Sequence, residues 1–377
     1  MNDYTFLSAE VGALCDSLRA EPLFHASLGS KELFHSNFLA WFADSFPQEA
    51  AAVFGAWGTA LPGAAAMPSE RESTHLDLIL HLPGLAPLAI ENKVFSVPSE
   101  EQLLRYAQGA VSQRGLTGPM PSKVLLSLIS PGWEEHQGWR WVSYGQLADA
   151  LERRISQVRT ADEFAGDVLD HYVRLIRLLV QLLDLLGTPT PEAPFLLPPA
   201  ITAHLDRARV SAAVQKARAS FVVRALQIAV AGKGGIAADV DHGFTRGTVL
   251  LEGFHRLAPK EIDPAADSVG WQLQGSQFRL AVITGRLGGR ANRESREVYV
   301  MERYPRWFDF TLVEKVAGIG TTLKEVRGGR WRFHGYDPDF VYRYCVVPDL
   351  TMSQILDVGL GYLRLAGQMV EGGGAEI

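Results

Sequence analysis

The chain is predicted to fold as two consecutive α/β units, a mixed sheet flanked by helices followed by an α+β unit on an antiparallel sheet. Three observations lead there. Helical periodicity fills residues 1–60, and short apolar runs near 68–73, 75–81 and 87–95 follow it. Residues 187–199 hold five prolines in 13 positions, which no helix can continue. Short apolar runs then resume between helical stretches at 200–231 and about 352–370.

Taken in order, the first 60 residues draw bulk from Trp41, Phe42, Phe46, Phe54 and Trp57, and residues 61–68 form a loop. Three strands follow, with Pro83 and Gly84 marking the turn between the second and third. A helix is expected near 99–113, opened by a Ser99 to Gln102 capping pattern after Pro98. Lys123 to Ile129 reads as an inner strand, Trp139 to Val142 as a short one, and Ser143 as the cap of the next helix. Residues 160–186 form a long helix or a broken pair. This places one domain at 1–187, a semi-rigid linker at 188–199 and a second domain at 200–377. In the second domain residues 200–231 read as one helix with Arg207, Arg209, Lys216, Arg218 and Arg224 as its charged face. Strands are expected near 236–242, 247–254, 270–275, 277–284, 296–302, 330–334 and 340–347.

Composition narrows the class. Hydrophobic residues make up 47% and charged residues 21%, the balance of a folded protein with ordinary cores. No stretch approaches the ~20 consecutive apolar residues that span a bilayer. The start Met1-Asn2-Asp3-Tyr4 lacks the basic and apolar regions of a secretory signal. Cys15 and Cys345 are the two cysteines and have no ligand spacing, which disfavours zinc and disulfides and fits a reducing cytoplasm. Charge is divided unevenly. Residues 1–199 carry 13 Lys and Arg against 23 Asp and Glu, net −10, whereas 200–377 carry 23 against 19, net +4. An acidic half suits a cation site and a basic half suits phosphates.

The sharpest feature is the placement of charge inside apolar runs. Asp77 lies within Leu76-Asp77-Leu78-Ile79-Leu80, and Glu91-Asn92-Lys93 follows Leu88-Ala89-Ile90. Burying such groups costs several kcal/mol unless they are paired or bind a metal. Glu91 and Lys93 leave one face of the pleat, and antiparallel pairing across the turn brings Asp77 near Glu91. Two carboxylates, the Asn92 carbonyl and waters suit Mg²⁺. Lys93 would orient the attacking water and stabilise charge on a phosphate. A structural ion pair explains the same residues about equally well.

These blocks resemble the PD-(D/E)XK nuclease superfamily, in the bacterial branch with an early helical glutamate. The resemblance rests on Glu32 to Phe42, on the Asp77 strand with Glu72 before it, on Ile90 to Val94, and on Gln102-Leu103-Leu104-Arg105-Tyr106, and it covers roughly residues 30–110. It implies a restriction-endonuclease-like mixed sheet, with Mg²⁺ (Mn²⁺ substituting) on Asp77, Glu91 and Asn92 and with Lys93 as the catalytic lysine. It further implies Glu32 as an auxiliary carboxylate, and Gln102 and Tyr106 lining the site. Leu76 stands where the superfamily's name has proline. Each residue also has a plainer reading. Glu32 would sit in a first helical turn after Ser30, where an acid is favoured by the helix dipole. His35 would be a packed core histidine, and Gln102 a cap.

A second candidate surface is the stretch Arg286, Arg290, Arg293 and Arg296, read as a Gly-bearing loop following a phosphate backbone, with a solvated hairpin loop as the equal alternative. Trp307, Phe308, Trp331 and Phe333 could stack on bases near it, but core packing is the better reading. The functional expectation is therefore a Mg²⁺-dependent nuclease acting on DNA in preference to RNA. A place in restriction or phage defence is implied by the resemblance, and a homo-oligomer is compatible with the sequence. The alternative is a non-catalytic nuclease-fold scaffold whose Asp, Glu and Lys cluster is structural.

Overall fold

Proline punctuates the helical start of the chain. Pro22 and Pro47 stand at the first positions of α2 (Pro22–Ser45) and α3 (Pro47–Phe54), where a missing N–H costs nothing. With α1 (Asp3–Ala20) these helices fill the region read as helical. In this computed structural model the described residues are 3–73, 76–94, 103–104, 121–232, 238–245, 247–285, 287, 293–318, 333–337 and 339–371. The helix expected near 99–113 lies, apart from Leu103 and Leu104, outside them. Glu32 sits in the middle of α2 and not in a first turn, because the helix begins at Pro22 and the Glu21 carboxylate accepts from the Leu23 N–H. The dipole account of Glu32 is thereby removed.

The first sheet contains β1 (Met67–Ser73), β2 (Leu76–His81), β3 (Leu88–Lys93), β4 (Ser122–Ser127), β5 (Glu135–His136) and β6 (Trp139–Ser143). Its order is β1-β2-β3-β4-β6-β5. β1, β2 and β3 pair antiparallel, β3, β4 and β6 pair parallel, and β5 closes the edge antiparallel to β6. The sheet is mixed, as expected, and the two-residue β5 is too short to leave an alternation in the sequence. Every residue of β3 is buried, since the strand is central. On one face Ile79, Ala89, Leu125 and Trp139 pack with Leu103. α2 lies against β1, β2 and β3, and α4 (Tyr144–Glu152) follows β6 directly, its start fixed by a Ser143–Gln146 capping box.

Residues 155–186 form a broken pair, α5 (Ile155–Ala161) and α6 (Glu163–Leu186). Asp162 ends α5 and its carboxylate accepts from Ala165 N–H at 2.9 Å. The two helices approach closely at Gly166, where a Cβ would come within 2.6 Å of Arg159 Cα. The stretch expected as one helix over 200–231 is also two, α7 (Pro199–Arg207) and α8 (Ser211–Ala231). Arg209 stands between them at φ 59°, a left-handed conformation that stops the helix. The five cations assigned to a common face serve different ends. Arg218 is buried and donates to the carbonyls of Phe195 and Pro194, and Lys216 lies over the Phe244 ring.

Two compact units emerge, Met1–Leu186 with Pro198–Val214, and Gly187–Leu197 with Gln215–Ile377. The proline run therefore does more than space two domains. Phe195 is buried, its N–H donates to Leu350 O at 2.8 Å, and Pro194 bridges Thr351, so residues 187–197 are built into the second unit.

The second unit is α+β on an antiparallel sheet, in the order β11-β12-β10-β9-β8-β7. The strands are β7 (Ala238–Thr245), β8 (Thr248–Arg256), β9 (Ser268–Gln274), β10 (Gln277–Ile283), β11 (His334–Asp337) and β12 (Phe340–Val346). Leu251, Trp271, Leu273 and Phe278 pack in one core with Val222 and Leu226 of α8 and Leu363 of α11 (Met352–Glu371). Trp271 donates to Gly359 O at 3.1 Å, and a Cβ at Gly359 would come within 2.6 Å of its ring.

One expected strand is wrong. Residues 296–302 belong to α9 (Arg293–Arg303), with Glu294 in its first turn and Arg303 in its last. α10 (Thr311–Val316) follows. Trp307 and Phe333 are core residues and Trp307 donates to Ala281 O, so the packing account of those aromatics holds. Trp331 lies outside the described residues.

Candidate metal and phosphate site

Strand direction assembles the site. β2 runs against β3, so Asp77 near the start of β2 meets Glu91 and Lys93 at the end of β3. The register Leu78↔Ile90 places Asp77 opposite Glu91 at the next step. Lys93 pairs in parallel with Ser127 of β4, whose hydroxyl accepts from Trp141 Nε1 and donates to Ile129 O. The three charged side chains thus share the end of the sheet where β3, β4 and β6 present their carboxyl termini, a favoured place for ligands in such sheets.

Lys93 Nζ lies 2.7 Å from Glu91 Oε1 and 4.0 Å from Glu32 Oε2. Glu32 therefore joins the cluster from α2. Glu91 is 1% exposed, and its second oxygen, Oε2, is buried with no hydrogen-bond partner among the described residues. Asp77 is half-buried, and its Oδ2 accepts the Asn92 N–H at 2.7 Å. The solvent-facing members are Asp77 and Glu32.

The Asn92 side chain is held from the helical layer. Its Nδ2 donates to Glu32 O at 3.1 Å and to Ser36 Oγ at 3.0 Å, and its Oδ1 accepts from Tyr144 OH at 2.5 Å. The side chain thus pins α2 and α4 to β3 and fixes where Glu32 stands. Only its backbone is left for the site. In an extended strand a residue's N–H and C=O leave by the same side, so the Asn92 carbonyl faces β2 and Asp77. Ser36 and Tyr144 are contributions that sequence spacing could not reveal, because they meet Asn92 across 56 and 52 positions.

The electrostatics are those of an acidic site short of positive charge. Burial pushes the Glu91 carboxyl up to about 7, helped by Asp77 and opposed by Lys93. Burial also raises Asp77, against the Asn92 N–H and Lys93. Burial opposes the charge of Lys93, but Glu91, Glu32 and Asp77 outweigh it and hold its pKa above the ordinary lysine value. His35, by contrast, is buried against Tyr172, its Nδ1 3.0 Å from the hydroxyl, and burial lowers it to about 3. It is a neutral core histidine.

No group of three or more His, Cys, Asp or Glu with metal-holding geometry occurs among the described residues. The residues present still fit a hard cation that keeps several waters, since Mg²⁺ needs one or two carboxylates. Glu91 Oε2 offers an unused buried oxygen, and burial raises both carboxyls, a cost that a bound cation would offset. Gln102 and Tyr106 lie outside the described residues.

The described part of the arginine stretch, from Arg293 onward, is helical. Arg296 is 5% exposed in α9, and its Nη1 donates to Asp339 Oδ1 at 3.0 Å and Thr284 Oγ1 at 3.3 Å. It braces β10 against the turn before β12 and is not available to a phosphate. Arg286, Arg290 and the Arg293 side chain lie outside the described residues.

No family model matches the chain, and no curated protein or solved structure matches it.

Proposed function

We propose that this protein is a Mg²⁺-dependent nuclease, with Mn²⁺ able to substitute, built on a restriction-endonuclease-like first unit. The observation that carries the reading is Glu91 Oε2, a buried carboxylate oxygen left without a partner among the described residues, beside Asp77, while Oε1 is neutralised by Lys93. Asp77, Glu91 and the Asn92 carbonyl would hold the ion, which when bound supplies Lewis acidity and lowers the pKa of water. Lys93 lies beside Glu91 and within reach of Glu32, so its ammonium can orient a water and meet charge developing on a phosphate. Glu32 keeps that ammonium in place. DNA is the proposed substrate in preference to RNA, with restriction or phage defence in the cytoplasm as the setting. Among the described residues no helix is long and apolar enough to cross a membrane.

The test is cleavage of plasmid, linear and single-stranded substrates with Mg²⁺ or Mn²⁺, with Lys93→Ala and Asp77→Ala alongside. Metal-dependent cutting abolished in both folded variants supports the reading. A parent protein inert on every substrate refutes it. The closed 2.7 Å pair of Lys93 and Glu91 favours one other reading, a nuclease-fold scaffold in which the cluster is structural. In that case Lys93→Ala unfolds a protein that never cleaved.

A further inference from the structure

We propose that a basic cavity in the first unit, outside the Asp77 cluster, binds a phosphate group of the strand that enters the site. The cavity measures about 420 Å³ and is lined by Arg19, Phe24, His25, Leu28, Gly29 and the Arg207 to Arg209 turn. It arises where two helices end together. α1 lies against α7 so closely that a Cβ on Gly12 would come within 2.9 Å of the His204 ring. Arg19 in the last turn of α1 and Arg207 in the last turn of α7 therefore reach the same space. α2 supplies the remaining wall through His25, Leu28 and Gly29, and a Cβ at Gly29 would meet nothing within 4 Å.

Arginines at helix C-termini are favoured by the dipole alone, which accounts for Arg19 and Arg207 without any ligand. Arg209 is not explained that way. It stands beyond the end of α7 at φ 59°, a position that glycine fills without strain and that other side chains occupy at a cost. It is exposed, and its guanidinium makes no hydrogen bond or ion pair among the described residues. The neighbouring arginines already have partners. Arg19 Nη1 is 3.4 Å from Asp16 Oδ1, Arg207 Nη2 is 2.6 Å from His204 Nδ1, and His25 Nε2 is 2.7 Å from Arg19 O. Three arginines thus line one cavity, and the carboxylate paired with them among the described residues is the exposed Asp16. Planar, multiply donating cations gathered in a concave wall are the chemistry that recognises phosphate.

Position on α2 relates the cavity to the acidic cluster. His25 and Glu32 are seven residues apart on one helix, so they share a stripe and stand about 10 Å from each other along the axis. Glu32 is the residue of α2 within 4.0 Å of Lys93 Nζ. One helix edge therefore carries an anion cavity at one point and the acidic site two turns on. A nucleic-acid backbone lying along that edge would set one phosphate among the arginines while another reaches Lys93. The identity of the occupant as a strand rests on the nuclease reading, whereas the anion cavity does not.

Binding is measured on the full-length parent protein with divalent metal chelated, so that nothing is cut, using a labelled single-stranded DNA oligonucleotide and, separately, inorganic phosphate. Arg209→Gly removes the guanidinium and relieves the left-handed strain, so a folding defect cannot account for its effect. Arg207→Gln serves as the second variant. The expected result is a tenfold or greater loss of oligonucleotide affinity in each. The slope of affinity against salt should also flatten by roughly 0.7 for each phosphate that is no longer neutralised. Oligonucleotide binding untouched by either variant overturns the proposal and leaves the nuclease reading standing. Arginine-dependent binding of inorganic phosphate without any effect on the oligonucleotide overturns the strand assignment in favour of a free anion. A protein that neither binds nor cleaves nucleic acid overturns the nuclease reading and the strand assignment together.

Discussion

Asn92 donates its backbone N–H to Asp77 Oδ2 at 2.7 Å just beyond the point where the β2–β3 ladder ends at Leu78 and Ile90. A carboxylate does the work of a main-chain carbonyl there, so Asp77 is at once part of the sheet and part of the site. Asp77→Asn keeps an acceptor oxygen and removes the charge. The variant is expected to fold with near-normal stability and to lose metal-dependent cleavage roughly 10²–10³-fold, the scale of removing one preorganised electrostatic group. Circular dichroism and cleavage rates check the two halves of that expectation.

Metal should stabilise the parent and not this variant. A ligand at roughly 100 times its dissociation constant adds about 2.7 kcal/mol to folding. Thermal unfolding with and without saturating Mg²⁺ is expected to show a rise in Tm for the parent and none for Asp77→Asn or Glu91→Gln. Equal shifts in all three would place the ion elsewhere.

Acidity gives an independent handle. Glu91 is raised to about 7 from an ordinary 4.5 and Asp77 is raised in the same direction, so the folded state holds protons that the unfolded state releases. Without metal, stability from these groups is greatest below pH 4.5 and declines as pH rises toward 7. Lys93 is raised above its ordinary value and adds no slope in that window. The difference in Tm between parent and Glu91→Gln should therefore change across pH 4.5–7 in favour of the variant. Metal affinity should strengthen over the same range as protons are displaced. A pH-independent difference would contradict the burial account of Glu91.

The Asn92 network predicts a structural effect that reaches the site. Tyr144→Phe removes the donor to Asn92 Oδ1 and leaves a buried oxygen unsatisfied, at a cost of about 1–3 kcal/mol. Asn92→Ala also removes the Nδ2 donor to Glu32 O and Ser36 Oγ, so its cost should be larger and its cleavage slower, because Glu32 rides on the same helix. Urea unfolding and turnover of the two variants test the ordering.

Arg296→Ala is expected to lower stability by about 1–3 kcal/mol, since a buried guanidinium bonded to Asp339 and Thr284 is lost. Oligonucleotide affinity should not change. A selective loss of nucleic-acid binding would restore the arginine to a contact role.

How much of this is legible in the sequence follows from particular residues. Leu78, Ile90 and Leu125 stand in apolar runs that could hardly be anything but inner strands, and the charges within those runs point to the cluster. The acids and the lysine stand out because burying them needs a reason. Asn92 reads as a backbone ligand, whereas its side chain holds two helices, and nothing local encodes a partner 52 residues away. Val298, Tyr299 and Val300 look like a strand, but β-propensity loses to a helix that buries Val300 and Arg296 four residues apart on one face. The break at Arg209 has no glycine or proline to announce it. Pro22, on the other hand, is a visible start signal for α2, and it places Glu32 well inside the helix.

The return of residues 198–214 to the first unit has a genetic consequence. The halves are not cassettes that recombination can exchange at the proline run. A crossover there would strip away α7, leaving the notch at Gly12 that receives the His204 ring open to water. Inheritance of a working first half should therefore require a junction inside α8, near Val214, where a helix and not a loop would have to be rejoined in phase.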